Sequence, residues 1–562
     1  MNPDQNSTSA DTRELEVRQT IINVILQRKH LTVENQKSWA SCSTEMDRSK
    51  LSNVNLTGFN LSNVNLKNSD LGESILVDID LSWSNLFGAQ LKKATMFGAN
   101  LSSANLANSN ADQADLVAST LEKTDFSGAT LVGANLRNAR AVEAIFCNAD
   151  LSRADLTFAI FSHANLTDAN LVEATLTEIV LHNAVLTNAN LAAANCAGAK
   201  AQRATLVGTN FTDADLFGAS LSEADLTTSN FTNANLTGAD LTNARLRNSM
   251  FAGAQLRRSD LTSADLTAID LTNADLTRAI LVNVDLRKSK STSADFSESN
   301  LSDANLAGGD FANTDFRRSN LSGTILTGTK MGNSNLSSAN IIRSEMRDAY
   351  LVGADLTFAN LEDANLVNVN FREAKLIDCI LTGSNLRGAD LSSARMDGAI
   401  LTDANLLRAN LANAVAPKST LTDADLSGAI LTGADFSSSM LDHAILQGAS
   451  LVDSKFVEAN LSWTDFSNSD LTAADFSASI LIESNFKNAN LSRSNFTDAA
   501  MSGVTLSDAN LTGCSLKGAK LNGANLNGSI LSNADLIGTD LSNIVWDEHT
   551  IWPINFTPPA VV

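Results

Sequence analysis

Histidine, cysteine and the carboxylates are where chemistry would be found in this chain of 562 residues. The five histidines are His30, His163, His182, His443 and His549. His163 and His182 are near enough to share a metal ion, but no cysteine or carboxylate completes a ligand set, so a solvated pair is expected. Cys42, Cys147, Cys196, Cys379 and Cys514 lie far apart without CxxC spacing, as reduced thiols of a cytosolic protein do. A Walker loop, GxGxxG, HExxH and a nucleophile elbow are all missing. Aspartates are abundant, yet most stand in one recurring slot directly ahead of a large apolar residue. There they form ladders and do not converge. No catalytic, cofactor-binding or metal residue is predicted, no cofactor is implied, and the expected protein is not an enzyme.

What remains to be positioned is a surface. The element that positions it is visible in FTNANLTGADLTNARL, residues 231–246, where Phe231, Leu236, Leu241 and Leu246 recur every fifth residue. This beat runs from Leu51 to Trp546 as 100 pentapeptides without insertion or deletion. The undersized centres are Ala111, Ala141, Cys196, Ala201, Ser291 and Ala416. The residue two places before the centre is mostly Ala, else Ser or Thr, the one directly before it is most often Asn or Asp, and turn formers follow. Residues two apart share a face of an extended segment, so small and large residues point inward while Asn or Asp points outward. A helix cannot hold this pattern, because five residues advance about 500° and the apolar stripe winds around the cylinder.

Phenylalanine spacing sets the number of sides per coil. Phe126–Phe146, Phe211–Phe231–Phe251, Phe296–Phe316, Phe436–Phe456–Phe476–Phe496 and Phe466–Phe486 are all separated by 20 residues. Rings prefer neighbours of their own size and shape, so four pentapeptides make one coil. The fold class is an all-β solenoid, a β-helix of about 25 four-sided coils roughly 120 Å long. The A(D/N)LXX pattern of ANLTGADLTNARL resembles the pentapeptide-repeat family across residues 46–546. That resemblance implies a right-handed quadrilateral β-helix.

The ends differ from the array. Asp11 and Glu14 form a capping-box pattern ahead of Leu15, Ile21, Ile22, Ile25 and Leu26, which predicts a helix over 11–28 within an N-terminal region 1–45. Its expected role is to cover the first coil, where Phe59 occupies a small-residue slot; the termini are also where a homodimer would form. Residues 547–562 include TIWPINFTPP, whose Trp552 and Phe556 are expected to fold back on the last coil. That tail resembles the closing WPxxF segment of cyanobacterial family members, which implies a bacterial source. No secretion signal and no apolar stretch of about 20 residues is present, so a cytoplasmic protein without a membrane span is expected.

Departures from the repeat mark the candidate interaction surface. Trp83, Phe87 and Phe97 occupy corners after the centre that should face solvent, and Trp463 takes the coil position of Trp83. Ile160 with Val180, and Ile380 with Ile400, fall one coil apart in outward slots. Residues 51–240 carry 9 basic and 19 acidic side chains, residues 241–410 carry 18 and 20, and residues 411–546 carry 6 and 14. In the near-neutral middle, Arg247, Arg287, Lys288, Arg347, Arg387 and Arg408 fall at nearly one place in the coil as a broken basic stripe. Ser291, the Ala416–Pro417 pair and the Cys196–Ala201 pair are expected to be weak places, with Pro417 removing a ladder donor.

Two functions compete. One is a non-catalytic rod-like scaffold that binds proteins along its faces or ends. The other follows from the resemblance: quinolone-resistance members of the family resemble B-DNA in shape and charge and bind DNA gyrase. A duplex of about 120 Å carries roughly 70 charges. The net charge here is −22, and the near-neutral middle interrupts the likeness. The acidic balance also disfavours direct nucleic-acid binding.

Overall fold

Each pentapeptide folds as a short extended side followed by a turn. The computed structural model describes residues 17, 19–21, 23–24 and 45–559. The chain forms two compact units, Met1–Asp275 and Leu276–Val562. In each unit the residues before the centres form parallel bridges to residues 20 positions on, for example Asn210 to Asn230 to Met250, and Ile380 to Ile400.

The hydrogen bonds around Phe231 represent the repeat. Phe231 N–H donates to Met250 O at 2.6 Å, and Asn233 N–H to Ala252 O at 2.9 Å, both toward the next coil. Asn235 N–H donates back to Ala214 O at 2.9 Å, and Ala234 N–H closes the turn on Phe231 O at 3.0 Å. Asn233 has φ of 58°, and the same turn slot is left-handed throughout, which is why Asn, Asp and Gly recur there. One donor is left over. Thr232 N–H, directly after the centre, bonds the Asn230 carboxamide oxygen at 3.0 Å, and the Thr232 hydroxyl bonds the same oxygen at 2.6 Å. The A(D/N)L pattern and the following Ser or Thr thus have one cause: they complete a turn that the backbone ladder leaves unfinished.

This arrangement corrects the expectation at Pro417. Proline there occupies the slot whose N–H takes no ladder partner, and Val415 ahead of it needs no acceptor. Ala416 N–H still reaches Asp435 O at 2.7 Å, and Pro417 O accepts from Gly398 N–H at 3.0 Å. Ser291 likewise keeps its ladder bond, to Asp310 O at 2.7 Å, and is fully buried. At Cys196 and Ala201 the interior is thin: an apolar cavity of about 20 Å³ opens among Leu181, Cys196, Ala201, Phe211 and Leu221.

The core is a set of vertical columns. Phe211, Phe231 and Phe251 stack at 4.7 and 4.5 Å between ring centroids. Phe436, Phe456, Phe476 and Phe496 stack at 5.7, 5.1 and 5.0 Å. A neighbouring column, Phe466 on Phe486 at 4.8 Å, meets Phe476 edge-on at 82° and 85°. Most buried hydroxyls in the small slot are satisfied by centre carbonyls, as Ser229 donates to Leu206 O at 2.6 Å, while those of Ser109 and Ser344 take no partner.

Side chains take part in the backbone pairing near both ends of the described ladder. Residues 17, 19–21 and 23–24 are helical, and the rest of the expected helix 11–28 lies outside the described residues. Gln19 acts as a substitute peptide group: its Nε2 donates to Asn55 O at 2.7 Å and its Oε1 accepts from Asn55 N–H at 2.8 Å. Those are the two groups of Asn55 that a preceding coil would otherwise pair. At the other end the register lengthens to Ile530–Ile551, and Asp547 Oδ1 accepts from Gly528 N–H at 2.8 Å. Trp546 and Trp552 meet edge-on at 5.7 Å, Trp552 stacks on Phe556 at 5.3 Å, and Trp546 Nε1 donates to Pro559 O.

Phe476→Ala is expected to destabilise the chain by about 3–5 kcal/mol, and Phe476→Leu by much less, because leucine is the usual centre. Guanidinium unfolding midpoints check the pair; equal effects would contradict the column packing. Thr327→Pro, after the outward Ile325, sacrifices no hydrogen bond and should stabilise by about 0.4–1 kcal/mol. A large fall in melting temperature for that variant would contradict the hydrogen-bond scheme.

Candidate interaction surface

The repeat spends its polar residues on itself. Asn and Asp oxygens hold the turns, and neighbouring carboxamides link the outward ladder, as Asn210 Nδ2 reaches Asn190 Oδ1 at 2.9 Å. Among the described residues no group of His, Cys, Asp and Glu is arranged to hold a metal ion. His163 and His182 lie in adjacent coils, joined through their backbones at 2.9 Å. None of the helices among the described residues is long and apolar enough to cross a membrane.

In the first unit Trp83, Phe87 and Phe97 fall on separate corners. Trp83 is 68% exposed, at a turn residue with φ of 61°. Trp463 occupies the equivalent turn in the second unit with φ of 63°, and its ring lies parallel to His443 at 6.2 Å. A tryptophan at positive φ is unusual, since the left-handed region favours Gly and Asn. Phe97 is exposed. Phe87 differs from expectation: it is half-buried, with Lys67 Nζ 5.3 Å from its ring centroid.

Three exposed phenylalanines, Phe158, Phe217 and Phe358, were not singled out by sequence reasoning. They occupy the same slots after the centre as Trp83 and Phe97, and that shared slot is the signal that would have found them. In the first unit Phe97, Phe158 and Phe217 recur along one corner at three-coil intervals.

The expected basic stripe is partly neutralised. Arg247 is paired with Asp265, and Arg287 forks onto Asp285 at 2.5–3.0 Å. Among the described residues Lys288, Arg347 and Arg387 form no ion pair. Exposed pairs such as Arg203 with Glu223, at 2.9 Å, are screened by solvent and add little to stability.

The surface is also not uniformly convex. In the second unit a depression of about 560 Å³ opens beside Tyr350, edged by Asp310, Lys330 and Asp348. Gly332 lies under the Tyr350 ring, where an added Cβ would come within 3.1 Å of Cε1.

Burial pushes Cys196 and Cys514 up to about 12 and raises Cys379 as well. Partial burial opposes ionisation of Asp155, Asp265 and Asp355. Hydrogen bonds from the threonine two residues on and from Arg137, Arg247 and Lys375 outweigh it and hold these carboxyls below 3.8.

With this geometry in place, the class is a β-helix built of stacked five-residue sides. Residues 44–195, 294–403 and 509–545 match the family described as pentapeptide repeats, in overlapping segments. Residues 209–279 and 419–496 match the pentapeptide repeat region. The chain belongs to the pentapeptide-repeat family. Solved structures similar to it include HetL, a pentapeptide repeat protein involved in heterocyst differentiation regulation from the cyanobacterium Nostoc sp. strain PCC 7120. It is 26% identical over 46% of this chain and 91% of that one, with a TM-score of 0.15. The pentapeptide repeat protein alr5209 from Nostoc PCC 7120 is 25% identical over 20% and 77%, with a TM-score of 0.16. Full-length QnrB1, a plasmid-mediated fluoroquinolone resistance protein, is 17% identical over 39% and 94%, with a TM-score of 0.14. No curated protein matches the chain.

The depressed carboxyls set a pH dependence. A carboxyl whose folded pKa lies below its unfolded value adds stability that is complete above the unfolded value and is lost as pH falls through the folded one. The melting temperature is therefore expected to fall steeply below about pH 4. Melting scans from neutral pH downward check this, and a rise on acidification through that range would contradict it.

Proposed function

We propose that this chain is a non-catalytic scaffold of the cytoplasm that binds protein partners. In this reading residues 46–546 form one right-handed array of about 25 coils, covered by 1–45 at one end and 547–562 at the other. One observation carries it. The polar side chains that lie close together are engaged in turns and ladders, whereas the exposed departures from the repeat are large aromatic and aliphatic residues, the types that anchor protein interfaces. The test is capture of host proteins on the immobilised chain at about 150 mM salt, followed by titration with each purified candidate. Saturable binding at about 10 µM or tighter is expected. Absence of any such partner, or turnover of a bound molecule, would sink the reading.

A second reading, a duplex mimic that binds a topoisomerase such as DNA gyrase, is favoured by the acidic stretch 51–240, with 9 basic and 19 acidic side chains. It is weakened by the near-neutral stretch 241–410, with 18 and 20. In a gyrase supercoiling assay the scaffold reading expects neither inhibition nor protection at micromolar protein. Inhibition there would favour the mimic.

A further inference from the structure

One side of the second unit departs from the rule for its outward slot. That slot holds Ile380, Ile400, Thr420, Met440, Asn460 and Ile480, bridged one coil to the next as a continuous ladder. Across the same coils each of the other three sides places a single aliphatic residue there, namely Val415, Ile430 and Ile445. Isoleucine and methionine cannot accept the N–H two residues on, so each leaves its turn without the side-chain lock that Asn or Asp supplies. The slot faces outward, so the exchange adds nothing to the interior. Ile400, Met440 and Ile480 are 39%, 47% and 42% exposed, and Ile482 and Trp463 extend the apolar surface at one edge.

Both edges of this ladder are acidic. Asp378 and Glu458 stand on the turns at one edge, and Asp403, Asp423 and Glu483 on those at the other, all exposed. Lys418 is the one lysine or arginine in the turns bordering these six rungs. An occupant must therefore present an apolar stripe flanked by cations. Its pitch is also constrained. Rungs repeat at about 4.8 Å, and an α-helix returns a side chain to one face every 5.4 Å or so. A helix inclined by roughly 25–30° brings the two repeats into register. An extended strand returns to one face only every ~6.6 Å and loses register after two rungs.

We propose that this side docks a basic amphipathic helix, its apolar stripe on Ile400, Met440 and Ile480 and its lysines or arginines over the flanking carboxylates. The proposal rests on the scaffold reading and names the partner's chemistry. The probe is a labelled leucine–lysine peptide of about 18 residues with leucines spaced i, i+3, i+4 and i+7. Its fluorescence anisotropy is followed while the full chain is titrated at about 150 mM salt.

Ile400→Asn with Met440→Asn restores the residue usual in this slot, and is expected to weaken binding at least about tenfold. Ile430→Asn with Ile530→Asn, on the opposite side, should leave it unchanged. Melting temperatures check that both variants fold, and Ile480→Asn supplies the comparison should the first pair lower stability. A leucine–glutamate helix, and a leucine–lysine peptide patterned as a strand, should each bind at least about tenfold more weakly. Equal affinity of the wild-type chain and the Ile400/Met440 variant for the probe, or equal binding of the strand-patterned peptide, would overturn the proposal. So would no binding at all. Capture of a host partner that is indifferent to the Ile400/Met440 pair would overturn this docking side and leave the scaffold reading standing.

Discussion

The turn after each centre residue leaves one backbone N–H outside the backbone ladder, to be met by a side chain of the same turn, as at Thr232, or of the adjacent coil, as where Val132 N–H donates to Asp112 Oδ1. The other four donors of the pentapeptide are engaged, three with adjacent coils and one within the turn. Whatever satisfies or removes the fifth decides what may stand beside the centre. Asn230 and Thr232 answer it with two hydrogen bonds to one oxygen, Pro417 by deleting the donor, and Ile400 by leaving it to other partners. An unpaired amide that keeps access to water loses little, whereas a buried one costs about 1–3 kcal/mol. This is why the outward slot varies more freely in chemical type than the inward slots. The variable slot is also the one that meets other molecules.

Interior regularity and exterior freedom therefore share an origin. The small and large inward residues fill columns in which each ring or leucine rests on its counterpart one coil away. Phe231 between Phe211 and Phe251 is bounded above and below by the same shape. Undersized centres are absorbed unequally. The consecutive pair Cys196 and Ala201 leaves a small void, while the isolated Ser291 stays fully buried with its ladder bond intact.

Much of this was legible in the sequence because the repeat aligns like with like. The separation of Phe211, Phe231 and Phe251 states the period directly, and the bridges share that period. Pro417 reads as a lost ladder donor only where every N–H pairs in the ladder, and the N–H directly after the centre does not. Phe158, Phe217 and Phe358 were passed over although their slot was already in use for Trp83 and Phe97. Gln19 was beyond reach for a different reason: its carboxamide pairs with Asn55 across 36 residues, and no local pattern encodes such a contact. The half-burial of Phe87 under Lys67 is likewise a matter of which side chains meet one coil apart. Sequence specifies the slots; what two long side chains do on adjacent rungs is decided by packing.

The parallel register of n to n+20 has a consequence for how such a chain can change length. Duplicating the codons of one whole coil returns every side chain to its own column and every amide to its own partner. Duplicating a single pentapeptide also keeps the inward and outward alternation, but it moves each following residue to the neighbouring side. Phenylalanine columns would then be broken at the junction, and any ladder such as that of Ile380 and Ile400 would turn a corner. Growth by whole coils is silent to the interior, and growth by one side redistributes the exterior. A gene of this kind can lengthen its product by one route and re-aim its surfaces by the other.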